Sequence, residues 1–392
     1  MKLPFSKKKK EIFLALDLGT ETVKSLIFQK EKDKIIILGA DLKEYYSFGI
    51  EDGRTLEKKE MGEAIWEVVN QAKKQAREEI KNCPIFWRLP GNILKERIIS
   101  QSFQRKNPNK VIDSKEEQDI YQKISKASQE KIFQEILQEK GILSQDLHFL
   151  DVKILERKID GYGVDQLSSC TGQNLDFQTS LVFLPKNYLN NIRRITRALG
   201  LNRLKLIPEG ENLHSVFSGQ KRNAFFLDIG GKLTQIVLIK ESKLQAVDSF
   251  EMGGEVFSQK LSQSFGTTKA QAEDLKIKYA QRILSEEVRK RMRESLFISC
   301  QLWFNNLKLK LKDISKERKG IFPPTIFIFG GGSQLPEIEE ILSQDIWEDL
   351  PFWERPQINF ILSKDLKNLE DRSKKINTSQ YIPILLLCYA TI

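Results

Sequence analysis

The stretch FLALDLGTETVKSLIF, residues 13–28, decides the expected fold because a second stretch of the same form lies in the other half of the chain. That second stretch is AFFLDIGGKLTQIVLI, residues 224–239. Each predicts an apolar strand that ends in aspartate, a tight glycine turn, and a second strand with alternating polar and apolar residues. A third glycine turn follows an apolar strand in FIFGGGSQLPEIEEIL, residues 327–342. Three such turns in this order predict a nucleotide clamped between two domains.

The residue types at these turns suit phosphate chemistry. Glycine lets backbone N–H groups approach phosphate oxygens without a Cβ in the way. An aspartate at a strand end can hold the hydration shell of Mg²⁺ or orient an attacking water. The third turn leads into Pro336 and an acidic helix, which predicts a helix N-terminus beside the nucleoside or the α-phosphate. One such turn alone is usually a plain hairpin, so the combination carries the prediction.

Composition bounds the possible classes. A chain of 392 residues with 40% hydrophobic residues predicts two domains or one bilobal unit. Its net charge of +10 is spread along the chain, which indicates a solvated basic surface, with a negative membrane or an acidic partner as the alternative. There is no aromatic-basic RNA motif and no zinc spacing, so nucleic-acid binding is not predicted.

Cysteine usage and apolar runs give further expectations. The four cysteines are far apart and form no CxxC, which predicts reduced, mostly buried thiols in a cytosolic protein. No stretch reaches the roughly 20 apolar residues of a spanning helix. The basic N-terminus lacks the apolar segment of a signal peptide.

Hydrophobic periodicity predicts the main helices. One face of about 60–80 is apolar, and a long amphipathic stripe runs through about 285–313. A capping-type start at Thr267-Thr268 predicts a helix over 269–280. Residues 363–377 predict a charged loop before a final apolar segment. The members of the long stripe, which we expect to pack in a core, are Val288, Met292, Leu296, Cys300, Trp303, Leu307 and Leu311.

The three turns resemble those of a known superfamily. LDLGTETVK resembles the first phosphate loop of the actin, Hsp70 and sugar-kinase superfamily, LDIGGKLTQ its second phosphate loop, and FGGGSQLP its adenosine loop. The chain resembles this superfamily over about residues 12–392. The loops alone specify only the superfamily.

Three further stretches resemble one branch of it, that of FtsA, the actin-like bacterial cell-division protein, and its relative PilM of type IV pilus assembly. Residues 159–185 look like the passage that leaves the inserted subdomain of FtsA. LKLIPEGENL, residues 204–213, sits where the family crosses between lobes, and AQAEDLKIKYA, residues 270–280, is similar to its nucleoside-binding helix.

The resemblance implies an α/β, actin-like bilobal fold with two RNase H-like cores, an FtsA-type inserted subdomain (an SHS2 domain) and a nucleotide cleft. Each core would have five strands, and a smaller subdomain would cap the second lobe. The expected segments are 1–83, 173–208 and 378–392 for the first core, 84–172 for the insert, 209–252 and 323–377 for the second core, and 253–322 for the cap.

The resemblance also implies ATP and Mg²⁺ in the cleft. Asp17 and Asp228 would lie near the metal and serve as the catalytic carboxylates. The residues implied at the phosphates are Gly19, Thr20, Glu21 and Lys24 in the first loop, and Gly230, Gly231 and Lys232 in the second. The residues implied at the nucleoside are Glu273 and Lys276, beside ribose and base, and Gly330, Gly331 and Gly332, behind the adenine.

The second phosphate loop departs from the family pattern. Lys232, Leu233 and Gln235 stand where the family usually has Gly, Thr and Asp. The lysine either narrows the loop or supplies a cation to the γ-phosphate. Because loss of the acid harms hydrolysis more than binding, we expect at most a slow ATPase, and a degenerate loop in a scaffold protein is the alternative.

The end of the chain also departs from the family. FtsA ends in a flexible linker and an amphipathic membrane helix, whereas YIPILLLCYATI, residues 381–392, predicts a core helix that closes the first lobe. Membrane attachment would then fall to a basic run near the N-terminus, since each lysine near an anionic surface is worth about 1 kcal/mol. The alternative is a disordered solubilising tail. The run consists of Lys7, Lys8, Lys9 and Lys10.

The resemblance leads to one preferred function and two alternatives. The preferred one is a cytoskeletal, ATP-binding protein that forms filaments and links a division protein of the FtsZ type to the inner face of the bacterial cell membrane. The first alternative is a PilM-like cytoplasmic scaffold that holds a partner peptide in a pilus or secretion machine. A sugar or acid kinase is the weakest, because no aspartate stands out as the base for a substrate hydroxyl.

Overall fold

The computed structural model describes residues 11–45, 59–211, 213–216, 223–318, 320–344 and 347–390, with only the backbone of 214 and 215. The strands are β1 (Ile12–Leu18), β2 (Thr22–Glu31), β3 (Lys34–Glu44), β4 (Pro84–Arg88), β5 (Lys95–Gln104), β6 (Leu147–Ile159), β7 (Tyr162–Gly163), β8 (Asn174–Pro185), β9 (Arg203–Leu206), β10 (Ala224–Ile229), β11 (Thr234–Lys240), β12 (Lys243–Phe250), β13 (Thr325–Phe329), β14 (Gln357–Phe360) and β15 (Leu369–Asp371). The helices are α1 (Lys59–Ala76), α2 (Ser114–Lys140), α3 (Lys186–Ala198), α4 (Leu213–Val216), α5 (Gly254–Phe265), α6 (Lys269–Ala280), α7 (Glu286–Arg318), α8 (Pro336–Leu342) and α9 (Ile382–Tyr389).

Two sheets repeat the same arrangement, as the repeated stretches predict. The first has the order β15-β3-β2-β1-β4-β9 and the second the order β12-β11-β10-β13-β14. In each, the aspartate-ended strand pairs antiparallel with the strand after the glycine turn and parallel with a later strand. These central strands are buried on both faces, which explains their nearly continuous apolar sequence.

Helix α9 lies in the core that the two sheets share. Its residues Ile384 and Leu385 belong to one buried cluster with Phe28 of the first sheet and with Phe226 and Phe327 of the second. An apolar surface on every side of a helix is expected where the helix is covered on every side. The prediction that this segment is a core helix is therefore confirmed.

A third sheet, with the order β5-β8-β6-β7, and α2 form the inserted module. Ile120, Ile124 and Ile132 lie on the buried face of α2. Polar residues cover the rest of this helix and obscure its hydrophobic periodicity in the sequence. It begins after Asp113, whose side chain accepts the Glu116 N–H at 2.8 Å.

Three strands belong to other sheets than the sequence indicates. Strand β4, which lies at the start of the segment 84–172 expected for the insert, belongs to the first sheet, where it is parallel to β1. Residues 174–185, expected in the first core, form β8, which pairs with β5 and β6 of the insert. Within the expected charged loop, β15 pairs with β3 and adds a sixth strand to the first sheet. The sheet of the insert therefore consists of β5, β6, β7 and β8. The exact boundaries of the expected segments stay predictions.

The helices of the second lobe agree with the sequence. Helix α6 covers 269–280, and Thr268 with Gln271 forms a capping box at its start. The predicted stripe of α7 faces the core, and Trp303 Nε1 donates to Thr234 Oγ1 at 2.8 Å. All four cysteines are free thiols, three of them buried. Among the described helices, none has the length and apolarity needed to cross a membrane.

Candidate functional site

The two glycine turns face each other across the cleft between the sheets. The same backbone hydrogen bond closes both, from Gly19 N to Thr22 O at 2.9 Å and from Gly230 N to Leu233 O at 2.9 Å. Thr20 Oγ1 of the first turn accepts the Lys232 N–H of the second at 2.9 Å. The two turns that the sequence predicts on either side of a nucleotide are thus in direct contact.

A cavity of about 270 Å³ opens beside these turns, near the lower end of the range for ligand sites. The structure brings nearly all predicted cleft residues to its wall, although their roles stay predictions. Lys232 is absent from that wall, and Lys7–Lys10 lie outside the described residues. The predicted residues on the wall are Asp17, Gly19, Thr20, Glu21, Lys24, Asp228, Gly230, Gly231, Glu273, Lys276, Gly330, Gly331 and Gly332.

Arg88, at the end of β4, holds the centre of the site. Its Nη1 donates to Asp17 Oδ1 at 3.2 Å, and its Nη2 donates to Asp228 Oδ2 at 2.5 Å. Nη2 also contacts Glu209 and donates to Gln235 Oε1 at 2.9 Å. One guanidinium therefore ties the first lobe to the second through the two aspartates that the sequence singles out.

The charges of this cluster are strongly coupled. Burial raises the pKa of Asp17, but Lys24, which donates to Asp17 Oδ2 at 2.8 Å, and Arg88 outweigh that effect, so the pKa lies below its usual value. Burial raises the pKa of Asp228 against the opposing pull of Arg88. Burial likewise raises the pKa of Glu209 to about 8, again opposed by Arg88. Three carboxyls and two cations leave one surplus acid, and Glu209 is the one that holds a proton near neutral pH.

The third turn needs glycine for space as well as for backbone conformation. Gly330 has φ +95° and ψ 166°, a region essentially confined to glycine. A Cβ there would lie 2.2 Å from Asp228 Oδ1 and 2.5 Å from Ile229 O. Gly330 thus lets the third turn approach the aspartate end of β10 closely.

Changing Gly330 to alanine should lower the free energy of unfolding by roughly 3 kcal/mol, because strain adds to overlap with Asp228. Gly141, which ends α2 at φ +65° with open space around its Cβ position, is the matched control. Gly141→Ala should cost only about 1 kcal/mol. Chemical denaturation measures both, and equal losses would show that the close approach at Gly330 is unimportant.

The predicted nucleoside pair is anchored to the second lobe. Lys276 Nζ donates to Gly254 O at 2.9 Å, to Ser258 Oγ at 2.8 Å and to Glu273 Oε2 at 2.6 Å. Lys276 is buried, so these bonds hold α6 against the first turn of α5. Both side chains still line the cavity, where they would meet a ribose or base.

The Lys232 side chain belongs to a chain of ion pairs across the lobes. Its Nζ lies 3.8 Å from Glu255 Oε2, and Glu255 also pairs with Lys269. Lys269 Nζ lies 3.2 Å from Glu21 Oε1 of the first lobe. The Lys232 side chain is thus engaged with Glu255, and both alternatives for its role stay predictions.

The metal expected from the sequence does not fit between Asp17 and Asp228. The guanidinium of Arg88 lies there, and Lys24 takes the second oxygen of Asp17. Oδ1 of Asp228 has no hydrogen-bond partner, but one oxygen does not hold Mg²⁺, which prefers an octahedral set of oxygens. In the described part of the chain, no group of three or more His, Cys, Asp or Glu is placed to hold a metal.

Sequence reasoning missed Arg88, Glu209 and Lys269. The sequence contained a signal for Arg88, because this residue directly follows the apolar run PIFW. That run forms a strand parallel to β1. The carboxyl ends of parallel strands share one edge of a sheet, so Arg88 had to lie beside Asp17 once β4 was placed correctly. Lys269 gives no such signal, since it resembles any solvated lysine in the first turn of a helix.

The repeated sheets and facing turns define a protein of the actin-like fold. Among solved structures, the chain is similar to a PilM-PilN type IV pilus biogenesis complex, with 15% identity, a TM-score of 0.63, and coverage of 96% of this chain and 97% of that one. It is also similar to the ethanolamine utilization protein EutJ from Carboxydothermus hydrogenoformans, with 13% identity, a TM-score of 0.51, and coverage of 100% and 92%.

Comparisons of sequence point to one family. The model of the family Cell division protein FtsA matches residues 225–368. FtsA of Enterococcus hirae is 25% identical over 86% of this chain and 76% of its own length. FtsA of Streptococcus pneumoniae serotype 2 is 23% identical over 69% of this chain, and the match spans only 56% of that relative. Over these stretches the chain is similar to FtsA, and its fold is that of the actin-like proteins.

Proposed function

We propose that this chain binds an adenine nucleotide in its cleft, assembles into filaments, and links a division machine of the FtsZ type to the inner face of the cytoplasmic membrane. The observation that carries the proposal is the meeting of the two glycine turns at Thr20 and Lys232, beside a cavity lined by the third turn. Backbone N–H groups at glycine turns bind phosphates, and both lobes contribute such turns here.

Hydrolysis would be slow at most. Arg88 binds Asp17 and Asp228, so neither carboxylate is free to accept a proton from a water molecule. Gln235 is also bound to Arg88, and an amide is no base. The cleft is therefore better suited to holding a nucleotide than to turning it over.

Filament formation and membrane attachment would support each other. A two-lobed molecule that stacks head to tail makes a heterologous contact that does not close, so the contact propagates. Many weak attachments on one filament add up through avidity. The basic run at Lys7–Lys10, outside the described residues, would then suffice as an anchor on anionic lipid.

The second candidate is a PilM-like scaffold. It is favoured by the similarity to the PilM-PilN structure, which extends over nearly the whole of both chains. In this role the protein would hold a partner's cytoplasmic peptide without forming filaments.

Electron microscopy and co-sedimentation with anionic vesicles and ATP separate the two. We expect filaments on the vesicles, lost at high salt and on replacing Lys7–Lys10 with alanine. The control removes the same charge from exposed positions of α2 and should still bind: Lys115, Lys123, Lys126 and Lys131. If the Lys7–Lys10 variant binds as well as the control, the run is only a tail. Absence of filaments with every nucleotide would favour the scaffold.

A further inference from the structure

Arg88 lies where the two phosphate-binding turns bring their aspartates together. In the first sheet it is the register partner of Asp17 across β1 and β4. Its guanidinium also reaches Asp228 of the second lobe at 2.5 Å and contacts Glu209 between the lobes. The described side chains thus place a cation between the carboxylates at which the sequence predicts a metal.

Several features show that this placement is built into the fold. Arg88 lines the cavity, so its charge faces the space beside both glycine turns. The side chain of Gln235 is neutral and accepts a hydrogen bond from Nη2 at 2.9 Å, where an acid would add a fourth carboxyl group to the cluster. The Gln235 amide in turn packs at Gly91, where a Cβ would lie 2.5 Å from Nε2. Gln235 therefore holds Arg88 in this position by a hydrogen bond, and Gly91, which lacks a side chain, leaves room for the Gln235 amide.

We propose that Arg88 is the resident cation of the cleft and takes the place of a divalent metal, so that the nucleotide binds without Mg²⁺. The guanidinium neutralises the two aspartates, as a metal ion would, and it keeps its charge at any physiological pH. The nucleotide part of this inference rests on the proposed function; the exclusion of a metal from the carboxylate pair does not.

The first test uses the unmodified protein. Isothermal titration with ATP in excess Mg²⁺ and with ATP in excess chelator should give affinities within about threefold of each other. Strengthening by Mg²⁺ of about tenfold or more would overturn the proposal. Titration with Mn²⁺ alone, followed by electron paramagnetic resonance, should show no tight site in the wild-type protein, and a tight Mn²⁺ site would also overturn it.

The second test frees the carboxylates. Arg88→Ala should create a Mn²⁺ site at Asp17 and Asp228 and make ATP binding depend on Mg²⁺, whereas Arg88→Lys, which keeps a cation, should do neither. Arg293→Ala, which removes an exposed arginine paired with Glu340, is the control and should behave as wild type. An Arg88→Ala protein that folds but gains neither property would contradict the proposal; if it does not fold, the wild-type titrations decide.

The two proposals fail in different ways. If ATP binds under no condition, the proposed function is wrong, while the Mn²⁺ titrations still test the role of Arg88. If ATP binds only with Mg²⁺, the proposed function stands and the resident cation is rejected.

Discussion

Replacing Arg88 with methionine should lower the free energy of unfolding by about 3–5 kcal/mol at about pH 8, because the change leaves buried carboxyl groups without their shared cation. Asp17 and Asp228 are buried and both accept hydrogen bonds from Arg88, and Glu209 contacts it as well. Breaking a buried pair by removing one partner costs far more than a surface pair contributes. Urea denaturation followed by circular dichroism measures the loss.

The loss should shrink as the pH falls to about 5, because carboxyls freed from Arg88 then take up protons. The wild type should itself lose stability as the pH rises from about 5 to about 8. Its Glu209 has a pKa raised from 4.5 to about 8, so the folded chain holds a proton that the unfolded chain has released. Asp228, whose pKa is also raised, acts in the same direction. The lowered pKa of Asp17 matters only in stronger acid, where its contribution is lost.

Two variants control this experiment. Arg105→Met removes another buried arginine, whose partner Glu116 is partly exposed and has a lowered pKa, so its cost should be similar at both pH values. Glu209→Gln should flatten the pH dependence of the wild type. An Arg88→Met protein as stable as wild type at alkaline pH would show that the carboxyl cluster does not depend on Arg88.

Filling the cavity with Ala280→Trp should weaken ATP binding by at least about 100-fold, because a bulky ring in a tight site has no room without displacing its neighbours. Ala280 is half-buried in the last turn of α6 and lines the cavity together with Ile277 and Leu335. The cavity holds only about 270 Å³, so an indole would take much of the space for a nucleoside.

Isothermal titration and nucleotide-dependent thermal stabilisation measure this effect. Ala270→Trp is the matched control, since Ala270 lies in the first turn of the same helix and is exposed. It should leave ATP binding unchanged. Equal binding by the two variants would place the nucleotide outside this cavity, and absence of binding by the wild type would refute the nucleotide proposal.

Features that depend on neighbours in the chain could be predicted from the sequence. The aspartate-ended hairpins at 13–28 and 224–239 are encoded locally, since each turn is closed by a bond between residues three apart. The capping box at Thr268 and the buried stripe of α7 follow from spacing alone. These same stretches, in this order, resemble the loops of the actin superfamily. That resemblance predicts the two-lobed, actin-like arrangement.

Only the tertiary structure decided which strands pair and which charges meet. The local sequence does not specify which sheet is joined by β4, β8 or β15. Each joins its sheet by pairing with residues far along the chain. Arg88 looks like a solvated end of a strand in the sequence. It becomes the centre of the cleft because β4 lies parallel to β1 and because the second lobe brings Asp228 to the same point. A charge acquires its role from the charges around it, and sequence spacing does not encode contacts between residues 140 positions apart.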